Sequence, residues 1–79
     1  MPVTIKDPID VVAVFDRGLR PVKFKWRGRV HAISEITYRW STREGATAVL
    51  HFSVTDGAAL YELACNTSTL RWTLERVEA

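Results

Sequence analysis

Pro21-Val-Lys-Phe-Lys-Trp-Arg-Gly-Arg-Val-His-Ala-Ile33 alternates apolar and basic side chains up to a break at Arg27-Gly28. Val22, Phe24 and Trp26 fall on one face of an extended chain, and Lys23, Lys25 and Arg27 on the other. A second β-type run follows the break, so the stretch predicts a β-hairpin with Arg27-Gly28 at its tip. A two-residue loop opposes Trp26 to Arg29, Phe24 to His31 and Val22 to Ile33. His31 and Ile33 then join the aromatic face, because directly opposed residues share a face.

Beyond the hairpin the next apolar residues are Ile36, Tyr38 and Trp40. The step from 33 to 36 is odd, so the parity slips. A β-bulge near Ser34-Glu35 restores it and bends the strand, as small barrels require. Ser41 to Ala46 reads as a polar loop turned by Gly45. Asp56-Gly57 is a strong hairpin signal. A two-residue loop there opposes Val54 to Ala59, Phe52 to Tyr61 and Leu50 to Leu63, and on the other face His51 to Glu62. A short helical turn over Ala58–Ala64 capped by Asp56 is the competing reading. Asn66-Thr-Ser-Thr69 is a further turn, opposing Leu63 to Trp72 and Tyr61 to Leu74.

Upstream, Ile9 to Phe15 is rich in Val and Ile, with apolar residues on both parities. Such a strand is expected to be covered on both faces. Asp16 to Pro21 is a turn of undetermined length. Pro2 and Pro8 make residues 1–8 an extended N-terminal arm or edge. The whole predicts one domain over residues 1–79. Its class is all-β: a small antiparallel meander of five or six strands forming a barrel or half-barrel, SH3-like or similar.

Composition narrows the function classes. Seventy-nine residues bury one small core and leave no room for a deep interdomain cleft. Lys and Arg total 11 against 9 Asp and Glu, a mild excess that identifies no partner by itself. Cys65 is the single cysteine and reads as a buried small hydrophobe. There is no signal-peptide pattern and no apolar run of membrane-spanning length, so a reducing cytoplasm is the expected location.

Two motifs together carry a resemblance: the 21–33 stretch with Trp40, and Tyr61-Glu-Leu63 followed by Arg71-Trp-Thr-Leu74. They resemble a family of short bacterial domains of unknown function. That pattern runs Pro-x-x-Phe-x-Trp-Arg-Gly-Arg, then Tyr or His, a later Trp, Tyr-acidic-Leu and Arg-Trp-x-Leu. The similarity covers residues 9–77 and departs from the pattern at residues 9–20, where this chain is longer. Such domains occur alone or attached to proteins similar to Y-family translesion DNA polymerases. The resemblance therefore implies a nucleic-acid-binding or DNA-repair accessory role and supplies no catalytic residue.

Lys23, Lys25, Arg27 and Arg29 place four cations in seven residues. With nearby aromatics such as Trp26, Tyr38 and Trp40, they can track a single-stranded phosphate backbone. The same residues also serve as a solvated strand face that deters aggregation. His31 and His51 are the only side chains that ordinarily titrate near neutrality. No nucleophile elbow, phosphate-cradling glycine loop or metal-ligand cluster accompanies them, so no enzyme, cofactor or metal is expected. Two functions remain. One is contact with single-stranded nucleic acid or a DNA-repair protein. The other is a protein-interaction or homodimeric module, which would use the outer-parity residues Val30, Ala32, Val49 and Leu60 or the edge of the first strand.

Overall fold

The computed structural model describes the backbone of residues 3–78 and the side chains of residues 5–78. Seven strands follow in order: β1 (Val3–Phe15), β2 (Leu19–Trp26), β3 (Arg29–Ala32), β4 (Glu35–Glu44), β5 (Thr47–Thr55), β6 (Leu60–Asn66) and β7 (Arg71–Glu78). The chain is all-β and antiparallel throughout, and no helix occurs among the described residues. In particular, no helix is long and apolar enough to cross a membrane.

The spatial order is β3-β2-β1-β7-β6-β5-β4. β1 is the shared spine. Its first half pairs with β7 through Ile9↔Trp72, and its second half pairs with β2 from Asp10↔Lys25 onward. A strand that changes partners at a bend lets one sheet fold over on itself. The fold-over is visible in the core. β2 and β6 lie three ladder steps apart, about 14 Å in a flat sheet. Yet the Phe24 and Tyr61 rings meet edge to face with centroids 5.1 Å apart. Ile9, Phe24, Phe52, Val54, Tyr61, Leu63 and Leu74 form the buried cluster between the two layers.

The sheet does not close. β3 and β4 are its two edges, joined at Ile33-Ser34 and tied there by the Ser34 amide donating to the Thr55 carbonyl at 2.8 Å. The expected five or six strands become seven. Ser41–Glu44, read as loop, is strand paired to β5 down to a turn at Gly45-Ala46. The parity slip is resolved differently as well. The chain leaves regular strand at 33–34, and the bulge sits at Thr37, between Ile36↔Val54 and Tyr38↔Ser53. Ile36 therefore points inward, while Tyr38 and Trp40 share the outer face.

The first hairpin has the expected register, Trp26↔Arg29 and Phe24↔His31, with positive φ at both Arg27 and Gly28. That is the turn whose twist matches its strands. The next two hairpins keep the expected faces but slip by two residues. Val54 opposes Tyr61 and Phe52 opposes Leu63; across the following turn, Leu63 opposes Leu74 and Cys65 opposes Trp72. The cause is side-chain capping. Asp56 Oδ1 accepts from the Ala58 and Ala59 amides, and Asn66 Oδ1 from the Ser68 and Thr69 amides. The Asp56 cap gives four loop residues in place of the expected two, whereas Asn66, expected in the turn, pairs with Arg71 and starts a four-residue loop one position later. Asp56 thus caps a turn, and Leu60–Asn66 is strand.

β1 is central, so it offers no edge for self-association. Its second half is covered on one face only: Ile9, Val11 and Ala13 turn inward, while Val12 is 51% and Val14 38% exposed. Of the expected N-terminal arm, residues 1 and 2 lie outside the described residues; from Val3 the chain pairs with β7.

Trp72, expected between Leu63 and the first hairpin's aromatics, instead opposes Cys65 and Ile9 and stacks on Phe52, half-buried. Phe24 is 1% exposed and bridges the two layers. Phe24→Ala is therefore expected to cost about 4 kcal/mol, and Trp72→Ala clearly less. Urea denaturation of the two variants checks the order, and a larger loss for Trp72 would move the centre of the core to its side of the sheet.

Candidate functional site

Two places bring polar chemistry together. The first is a clasp on the inner side of the seam. His31 Nδ1 lies 3.2 Å from Asp56 Oδ2, and the Tyr61 hydroxyl donates to the same oxygen at 3.1 Å. The imidazole stacks on Phe24, with centroids 5.0 Å apart. His31 Nε2 is buried and has no hydrogen-bond partner among the described residues. A proton on Nδ1, shared with Asp56, leaves a lone pair on Nε2 in place of an orphaned donor. The Ala58 amide holds the Asp56 carboxyl well below the usual carboxylate range. Partial burial opposes this, and the Ala59 amide, His31 and Tyr61 add to it. Desolvation, then the Asp56 carboxylate, pushes the Tyr61 phenol up.

The clasp has the residue types of an acid–base cluster, with His31 Nε2 sealed from solvent. What the clasp does is tie β3 to the β5–β6 turn, across strands four ladder steps apart in the sheet. Its pH dependence follows from the two shifts. The lowered Asp56 value gives stability that is present above the unfolded carboxylate range near about 4 and is lost as pH falls toward the folded value. The raised Tyr61 value gives stability that is present below about 10 and is lost as pH rises through the folded value. Asp56→Asn is expected to flatten the acid side of the stability profile, measured by thermal melts across pH; an unchanged acid side would show that Asp56 does not govern it.

His51 lies outside, on the opposite face. It opposes Ala64, not the expected Glu62, whose Oε2 is a diagonal 3.9 Å from Nδ1. Trp40 stacks on its ring at 5.0 Å and 6°, and Thr42 Oγ1 lies 2.8 Å from Nε2. This is a packed cross-strand arrangement. Cys65 is buried, which pushes its thiol up and leaves it unreactive. No group of three or more metal-ligating side chains occurs among the described residues.

The second place is the outer face of β1–β2–β3. Lys23 and Lys25 are exposed there, opposite Ala32 and Val30 on one side and Val12 and Asp10 on the other. Neither lysine has an ion-pair partner among the described residues. Val30 is 62% exposed. A depression of about 240 Å³ is lined by Asp10, Val12, Lys23, Lys25 and Val30, with Val11 and Phe24 also contributing.

The four sequence-predicted cations are not brought onto one face. Arg29 opposes Trp26, on the His31 side of the sheet. Arg27 sits in the turn with its guanidinium 4.7 Å over the Trp26 ring, and its Nε is 3.8 Å from Asp7 Oδ2. The Trp26 indole donates to that same oxygen at 3.0 Å. Tyr38 and Trp40 lie on β4, at the far edge of the sheet from β3. Of the expected outer apolar residues, Val30, Ala32 and Leu60 are exposed, whereas Val49 is buried. Exposed Val12 and Val14 escape a sequence reading that has both faces of β1 covered.

No family model, curated protein or solved structure matches the chain. The reading of the site therefore rests on its geometry.

Proposed function

We propose that the chain is a non-enzymatic protein-interaction module whose docking surface is the outer face of β1–β2–β3. The observation that carries this is the composition of that face. Val12, Val14 and Val30 stand in solvent around Lys23 and Lys25, at the edge of an open sheet. Exposed aliphatic residues interleaved with unpaired cations suit a partner offering apolar and acidic side chains.

Contact with single-stranded nucleic acid is the second reading, favoured by the exposure of all four cations. Trp26, the aromatic next to them, is engaged by Asp7 and Arg27, and Tyr38 and Trp40 stand on β4 and not on the β2–β3 face that carries Lys23 and Lys25. Base stacking supplies much of sequence-tolerant single-strand binding.

The two readings separate by variant. Labelled alternating Glu-Val octapeptide and labelled dT20 serve as probes at low salt. Peptide binding is expected to weaken in both Lys23→Ala/Lys25→Ala and Val12→Ser/Val30→Ser, each by about tenfold. If dT20 binds more tightly than the peptide, depends on Lys23, Lys25 and Arg27 and ignores the valines, the nucleic-acid reading replaces this one.

A further inference from the structure

We propose that β3 is a strand-acceptor edge: an extended acidic segment of a partner protein adds to it as an eighth strand. The inference rests on the docking surface argued above and specifies how it is used.

The backbone of β3 sets the site. Arg29 closes the two-residue turn against Trp26, and the Ile33 amide donates to the Val22 carbonyl at 2.9 Å. In an antiparallel ladder, bonded and non-bonded pairs alternate. Residues 29, 31 and 33 therefore turn their amide and carbonyl groups toward β2. Val30 and Ala32 turn theirs away from the sheet. Both residues are exposed, and among the described residues no backbone group outside the β2–β3 ladder bonds to the amide or carbonyl of either, which leaves four backbone groups on this edge for a partner.

The other edge is the more heavily guarded of the two. β4 carries a bulge at Thr37 and the charged side chain of Arg39 on the inner side, over the Phe52 ring. Bulges and inward charges both deter strand addition. β3 has no bulge, and its one inward-side charge, Arg29, stands at the turn end, away from the open groups of Val30 and Ala32.

Charge selects the occupant. A strand added to β3 lies about 4.8 Å from it and about 9.6 Å from β2. Its outer side chains flank Val30 and Ala32, within the combined reach of a carboxylate and the Lys25 or Lys23 stem. Its inner side chains pass beside Arg29. A second copy of the chain paired β3 to β3 brings Lys23, Lys25 and Arg29 toward their own equivalents, which costs repulsion. An acidic extended segment is favoured on both faces. Backbone bonds supply the pairing, and the alternate side chains supply the selectivity.

The test uses the alternating Glu-Val octapeptide and the same peptide N-methylated at alternate amides. N-methylation keeps every side chain and charge but removes ladder donors. The unmodified peptide is expected to bind and to protect the Val30 and Ala32 amides from hydrogen exchange. The N-methylated peptide should bind at least about tenfold more weakly. Val30→Pro, which removes the open amide, should weaken the unmodified peptide similarly. The peptide comparison is made on the unaltered chain, so a folding defect in the proline variant leaves it intact. Equal binding of both peptides, without protection at Val30 and Ala32, overturns strand addition while the docking surface stands. Absence of binding by either peptide overturns both. A dimer in sedimentation that Val30→Pro abolishes also overturns the proposal, in favour of a second copy.

Discussion

The change of partner by β1 between Ile9 and Asp10 is the constraint on which the rest of the structure depends. Before it, the strand belongs to the five-stranded layer through β7; after it, to the three-stranded layer through β2. Neither layer buries a core alone, since each has one apolar face and one polar or mixed face. Bending a shared strand brings the two apolar faces together without a crossover connection, which a chain of this length has little room to supply. Irregularities flank the hand-over, at Thr4–Asp7 against β7 and at Val12–Ala13 against β2. They let the strand turn without exposing its inward row of Ile9, Val11 and Ala13.

Once the layers face each other, the far side of the fold-over must be held as well. Hydrophobic contact between Phe24 and Tyr61 is non-directional and would tolerate sliding. The His31–Asp56–Tyr61 hydrogen bonds are directional and fix β3 against the β5–β6 turn. Asp56 is suited to this because its other oxygen is already committed to two backbone amides. One carboxylate thus shapes the turn and ties the seam. At the open end, the Ser34–Thr55 backbone bond marks where the two edges meet before diverging.

The period-two pattern makes the faces legible, and the first hairpin has the register of a two-residue Arg27-Gly28 loop, where a three-residue loop would have inverted its faces. Registers at Asp56 and Asn66 are less legible. Whether an Asx side chain caps a four-residue loop or a two-residue turn replaces it depends on contacts that local sequence does not encode. Both slips were even, which preserved every face. The bulge lies at Thr37, two to three residues beyond Ser34-Glu35, and so puts Tyr38 and Trp40 on the face opposite Ile36. The partner change in β1 is a long-range matter, invisible to periodicity. Lys23 and Lys25 were legible as an exposed pair. The opposite placement of Arg29 followed from the same hairpin register but only carries weight once the two faces are known to lead to different surroundings.

An open sheet is a choice between two uses of the same strands. Closing β3 onto β4 would satisfy both edges and leave a sealed barrel. The chain forgoes this at the corner formed by Ile33-Ser34, where β3 ends after four residues and β4 runs on for ten. The unequal lengths mean that most of β4 has no strand to meet, and it carries its own protection in the Thr37 bulge and in Arg39. β3 is short, with Arg29 at its turn end and two lysines on the neighbouring strand that have no ion-pair partner among the described residues. On the proposed use of this edge, the lysines that oppose a second copy also favour an oppositely charged strand. Under that proposal, resistance to self-pairing and choice of partner come from one electrostatic property rather than two.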